Sequence, residues 1–127
     1  YFVGVPLMSY ELASHPDRDR YDLSQCKTFA AGGAPRPVEH VQKIKDAFQD
    51  GYPVLGYGLT ETNAVGAGNL NENYLAKPGS TGLPSKPLVD MAILDDDGRP
   101  LPAGQTGEVS IRSAANFLGY WKNEQAT

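Results

Sequence analysis

A single cysteine, Cys26, stands in a chain of 127 residues. A lone thiol closes no internal disulfide, so nothing in the sequence points to an oxidising compartment. It precedes an apolar segment, where a thiol serves as a small hydrophobe. Basic charge is scarce too: 11 Lys and Arg against 15 Asp and Glu leave a net charge of -4. No basic cluster is visible, and a nucleic-acid surface needs one. The longest charge run, Asp95-Asp96-Asp97, reads as a solvated turn. No apolar run reaches the roughly 20 residues of a membrane-spanning helix, and no secretory leader is expected. The expected setting is therefore cytoplasmic, with no transmembrane segment and no nucleic-acid partner. The two histidines, His15 and His40, have no Cys or carboxylate at metal-ligand spacing, so surface or structural roles are expected. Walker loops, GxGxxG dinucleotide loops and nucleophile elbows are all missing.

What is present is an ordinary globular composition, 40% hydrophobic and 20% charged, on a chain long enough to bury one core. Tyr1-Phe2-Val3-Gly4-Val5 is already strand-like and lacks an initiator Met. Asn123, near the other end, is a suitable N-cap for a helix about to begin. Both features lead us to expect a segment of a longer parent chain.

Residues 1–69 alternate strand and helix. Pro6 suits the first position of a short helix over 6–14, and a polar connection over 17–25 follows. Residues 27–31 predict a strand ended by Gly32-Gly33. Pro37 opens the clearest helix, to about residue 49, with Val38, Val41, Ile44 and Phe48 on one face. Gly51 is the expected C-cap. Residues 53–56 predict a second short strand, and 64–67 a third. Residues 70–127 read as β-rich. A Gly/Pro-rich entry over 77–87 leads to an apolar strand around Val89, Met91, Ala92, Ile93 and Leu94. A turn at Asp96-Asp97-Gly98-Arg99 precedes a strand over 108–112, with Val109 and Ile111 on one face. The expected fold is α/β, a strand–helix portion followed by a small antiparallel sheet or barrel.

Two loops could carry chemistry, each after the carboxyl end of a short apolar strand, where open α/β sheets bind ligands. Gly32-Gly33-Ala34-Pro35 offers small residues that let a ring or chain approach the backbone. Tyr57-Gly58-Leu59-Thr60-Glu61-Thr62 joins an aromatic face, a glycine, a hydroxyl and a carboxylate. A purine stacks on such a Tyr, a Thr hydroxyl bonds a phosphate oxygen, and a carboxylate holds Mg²⁺. Taken singly, by spacing alone, each loop reads better as a tight turn at a strand end.

In order, however, the segments resemble the adenylate-forming (AMP-binding) superfamily of acyl-CoA synthetases, aryl-CoA ligases, firefly luciferase and peptide-synthetase adenylation domains. Gly32-Gly33-Ala34-Pro35 is similar to the GGAP loop. Tyr57-Gly58-Leu59-Thr60-Glu61 matches YGxTE, the most specific signal. Gly79-Ser80-Thr81-Gly82-Leu83-Pro84 resembles GSxGxP. Residues 95–111, with Gly104-Gln105-Thr106-Gly107-Glu108, resemble the DDG…PxGxxGE strand pair. Gly119-Tyr120-Trp121-Lys122-Asn123 with Ala126-Thr127 resembles GYWxxPEAT, departing from it at Glu124-Gln125. The resemblance covers essentially the whole chain and is closest to fatty acyl-CoA synthetases.

The resemblance implies that a carboxylic acid, a fatty acid by this reading, attacks the α-phosphate of ATP, and that coenzyme A then takes the acyl group. It implies Mg²⁺, ATP/AMP and coenzyme A as cofactors. It places Tyr57 near the adenine, Gly33 and Ala34 beside the adenine and acyl pocket, and Gly58 at the carboxylate end of that pocket. Thr60 would bond the α-phosphate and Glu61 would hold Mg²⁺. Gly82 and Glu108 are expected to shape the β portion. The family's phosphate loop, ribose-binding Asp, hinge and catalytic Lys would lie in the rest of the parent chain, so the segment alone is expected to be inactive. Within the enzymes, an aryl-CoA ligase or a peptide-synthetase adenylation domain is the alternative. Outside them, it is a noncatalytic nucleotide-binding or scaffold homologue.

Overall fold

A computed structural model describes residues 1–127. It divides into two units, Tyr1–Tyr57 with Ala67–Leu83, and Gly58–Gly66 with Pro84–Thr127.

In the first unit, β1 (Phe2–Gly4) leads into α1 (Pro6–Ser14), whose first residue is the proline. With no N–H to leave unpaired there, Pro6 starts the helix without cost. The polar connection contains a single 3₁₀ turn, Arg18–Arg20. Then come β2 (Thr28–Ala31), α2 (Val38–Ala47) and β3 (Tyr52–Tyr57). α2 carries Glu39 in its first turn and Lys45 in its last, complementing the helix dipole. β1, β2 and β3 are parallel neighbours, with Phe29 opposite Pro53 and Ala31 opposite Leu55. All four of those residues are buried, so one face of the sheet is apolar and takes α2.

Two clusters result. Ile44 and Phe48 pack with Ala13 and Phe29, the two phenyl rings stacking at 4.0 Å. Cys26 lies against this cluster as a half-buried free thiol. Val41 packs with Leu55 and Tyr74. Each such fully buried side chain contributes about 1.5–3 kcal/mol relative to exposure. Lys43 ties α2 to α1 by donating to the Tyr10 hydroxyl, 3.2 Å away.

Three details depart from the pattern of the sequence. Gly51 does not cap α2: the helix ends at Ala47 with Phe48 as its C-cap, and the Phe48 carbonyl accepts from the Gly51 N–H at 2.8 Å. The third strand, β4 (Ala67–Asn69), starts where the expected one ends, and it runs antiparallel to β3. A short helix, α3 (Asn71–Ala76), then brings Tyr74 into the core at 0% exposure; no apolar period marks it. The first sheet has the order β1-β2-β3-β4-β5, with β5 at Leu83–Pro84.

In the second unit, β6 (Val89–Leu94) and β7 (Glu108–Ser113) form a two-stranded antiparallel sheet with Leu94 opposite Glu108. The Asp95 carboxylate accepts from the Asp97 and Arg99 N–H groups at 3.0 and 2.8 Å. The acidic run is thus a side-chain-braced turn, and Gly98 supplies its positive φ of 77°. Near the end, Asn123 caps a 3₁₀ turn, Glu124–Ala126, through its side-chain oxygen. No helix is long and apolar enough to cross a membrane.

Candidate functional site

The first unit brings Gly33, Ala34 and Tyr57 to one edge of the sheet. β2 and β3 are parallel and in register to Ala31 and Leu55, so both release the chain at adjacent carboxyl ends. Their exits touch: a Cβ on Gly32 would lie 2.9 Å from the Gly56 carbonyl oxygen. Glycine is what allows that approach. Gly33 follows with φ +75° and nothing within 4 Å of where a side chain would begin. Gly33, Ala34 and Pro35 are exposed, leaving a shelf of bare backbone. Tyr57, the last residue of β3, is half-buried and pairs with Ala67.

The second unit holds Gly58, Thr60 and Glu61 in one turn. Thr60–Thr62 is a 3₁₀ turn. The buried Thr62 hydroxyl accepts from the Leu59 N–H at 3.0 Å and donates to the Leu59 carbonyl at 3.1 Å. The Ala64 N–H closes the loop on the same carbonyl at 2.8 Å. Asn63 and Ala64 take left-handed φ values of 49° and 59°. That conformation costs a residue other than glycine about 1–2 kcal/mol. The loop returns so tightly that a Cβ on Gly58 would overlap the Ala64 carbonyl. Thr60 is exposed and Glu61 half-buried.

Glu61 is held from a distant part of the chain. Its carboxylate accepts a hydrogen bond from the Tyr120 hydroxyl, and its backbone carbonyl accepts from the Phe117 N–H at 2.8 Å. Asn63 adds a bond from its side-chain amide to the Ala115 carbonyl at 2.9 Å. Phe117 meets Tyr120 edge to face at 4.9 Å. The Tyr120 hydroxyl stabilises the ionised carboxylate and so holds Glu61 below the usual glutamate range. The same bond raises the Tyr120 phenol.

No group of three or more His, Cys, Asp or Glu side chains is placed to hold a metal ion by itself. Glu61 is the sole carboxylate of its turn. One ionised, anchored carboxylate fits Mg²⁺ carried on phosphates, because Mg²⁺ is normally bound by one or two carboxylates together with substrate oxygens. His40 instead stacks on Tyr10 at 3.8 Å, and the His15 ring accepts from the Asp17 N–H at 3.2 Å. An apolar cavity of about 390 Å³, lined by Phe2, Leu12, Cys26, Phe29 and Phe48, includes none of the loop residues.

Sequence reasoning assigned no role to Tyr120 or Arg36. Tyr120 stood inside a recognisable aromatic segment, yet nothing local links it to Glu61. Arg36 directly follows the glycine loop and is buried; a charged residue between two prolines gives no sign of that.

Glycine-containing exits at the carboxyl ends of neighbouring parallel strands place the first unit among the α/β proteins, which bind ligands at such ends. The chain belongs to the AMP-binding enzyme family, whose model matches residues 1–121. It is 41% identical over 109 residues to 4-coumarate–CoA ligase-like 2 of Arabidopsis thaliana, covering 85% of this chain and 19% of that protein. It is 36% identical to a long-chain-fatty-acid–CoA ligase of Bacillus subtilis, covering 99% of this chain and 22% of that protein. Among solved structures, the anthranilate CoA ligase AuaEII in complex with anthranoyl-AMP superposes with a TM-score of 0.84 at 27% identity, over 98% of this chain and 24% of that one. The chain thus spans about a fifth to a quarter of these relatives' length.

Proposed function

We propose that this chain is part of an ATP-dependent carboxylate–CoA ligase, with residues 1–69 and 70–127 as the α/β and β-rich portions of one larger AMP-binding domain. The observation that carries the reading is the Thr60–Thr62 turn, which presents an exposed hydroxyl beside a carboxylate kept ionised by Tyr120. In this reading the acid's carboxylate oxygen attacks the α-phosphorus of ATP and pyrophosphate leaves. The thiol of coenzyme A then attacks the acyl carbon and AMP leaves. Tyr57 stacks on the adenine, and Gly33 and Ala34 border the adenine and acyl pocket. Gly58 leaves room for the carboxylate, Thr60 donates to the α-phosphate, and Glu61 binds Mg²⁺. That ion, when bound, neutralises charge developing on the phosphates. The residues here position the reactants and steady that charge. The segment by itself is inactive in this reading, since it spans so small a share of its relatives.

The loop sequences support a fatty acid as the substrate, and so does the fatty-acid ligase among the relatives. An aromatic acid is the second reading, supported by the 4-coumarate ligase-like relative and the anthranoyl-AMP complex. ATP–pyrophosphate exchange by the full-length protein across aliphatic, aromatic and amino acids tests both. Exchange with one class names the substrate. Thr60→Ala and Glu61→Gln should each slow it by about 10²-fold. Exchange with no acid, from folded protein that still binds ATP, would replace the ligase by a noncatalytic nucleotide-binding homologue.

A further inference from the structure

Arg36 is 6% exposed, and it takes part in none of the chain's ion pairs. Its Nη2 donates to Ser9 Oγ on α1 at 3.2 Å, and that hydroxyl donates in turn to the Pro6 carbonyl at 2.9 Å. Its guanidinium carbon lies 5.6 Å from the centre of the Tyr74 ring on α3. Nε and Nη1 are buried without partners, and so is the Tyr74 hydroxyl. Burial pushes the guanidinium pKa down.

A buried cation with no counter-charge weakens a fold. An apolar side chain of the same length would fill the space without that penalty. The packing of the first unit therefore does not account for this residue. Its place in the chain does. Gly33, Ala34 and Pro35 are all exposed, and Arg36 is the first buried residue after the loop. It grips α1 through a hydroxyl and α3 through a ring face, so the far end of a glycine-containing loop is tied to two helices at once.

We propose that Arg36 is a positioning residue for the nucleotide: it holds the Gly33–Ala34 backbone in the conformation that receives the adenine. This rests on the nucleotide-binding role assigned above to that loop. Presetting the backbone lowers the ordering cost of binding. It acts on affinity rather than on the chemical step.

The test uses the full-length enzyme. Arg36→Met should raise KM for ATP by about tenfold while leaving kcat within about twofold, and its melting temperature should be equal to or above wild type. Arg36→Lys, which keeps a donor for Ser9, should recover part of the loss. Ala34→Trp, a bulky change on the exposed shelf, tests the underlying reading. If Ala34→Trp weakens ATP while Arg36→Met does not, the positioning role is wrong and the nucleotide loop stands. If neither weakens ATP, the loop assignment itself fails and the positioning role with it. An Arg36→Met protein that does not fold, or that loses kcat and stability together with no recovery in Arg36→Lys, would show a purely structural residue and overturn the proposal.

Discussion

Replacing Gly58 with alanine puts a methyl group where the chain has no room for one. The new Cβ would lie 2.9 Å from the Ala64 Cα and nearer still to the Ala64 carbonyl, whereas ordinary contact begins at 3.4 Å. Every obstructing atom is backbone, so no rotamer change relieves the overlap. Gly58 is not among the glycines with positive φ, so the penalty is steric and not torsional. The neck of the loop must open by about 1 Å to restore ordinary contact with the Ala64 carbonyl. That strains the Ala64 to Leu59 hydrogen bond, 2.8 Å in the native loop. Thr60 and Glu61 ride on this loop, and overpacking of this kind costs about 1–3 kcal/mol in stability. Misplacing reactant-positioning groups on this scale reduces rates by about 10–10²-fold. We therefore expect ATP–pyrophosphate exchange by full-length Gly58→Ala enzyme to fall by about 10²-fold at saturating ATP. Gly79→Ala serves as the comparison. Its Cβ would meet only Val38 at 3.9 Å, and it should behave as wild type. Exchange by Gly58→Ala within about twofold of Gly79→Ala would refute the steric account of the loop and its link to rate.

Two further outcomes are expected. Tyr120→Phe removes the donor that favours ionised Glu61, so the Glu61 carboxyl should titrate nearer its ordinary value of 4.5. With the folded pKa depressed, the native bond stabilises above the unfolded value and is lost as pH falls through the folded one; the variant should lack that acid-side loss. Identical carboxyl-carbon NMR midpoints in both proteins would contradict the bond. Ile44→Ala opens a cavity beside Phe29 and Phe48 at a site of 0% exposure, and should cost about 2–5 kcal/mol in urea denaturation. A loss well under 1 kcal/mol would mean the site collapses, or that α2 packs otherwise.

Much of the local structure is written in contiguous residues. Pro6 at a helix start and the apolar face of α2 both appear where the pattern puts them, because capping and periodicity act over a few positions. One member of that face, Val38, nonetheless stays 51% exposed as the first residue of the helix. Two elements escaped the pattern for physical reasons. α3 is 6 residues long, too short to display a period. β4 consists of Ala-Gly-Asn, which has little strand preference and is held by pairing with β3.

The same division runs through the site. Gly33, Ala34, Tyr57, Gly58, Thr60 and Glu61 stood out as candidates because they lie in two short loops whose order and residue types are distinctive. What the sequence alone determined, then, was the family, the alternation of elements and the two loops proposed to carry chemistry, all of them encoded locally. Only the tertiary structure decided that Tyr120 orients Glu61 across a separation of 59 residues. It also decided that Arg36 is buried over Tyr74 and that Gly82 must be glycine because its Cβ would run into the Gly68 backbone. Those contacts join residues far apart in the chain, and nothing in the identity of either partner announces the other until the fold has brought them together.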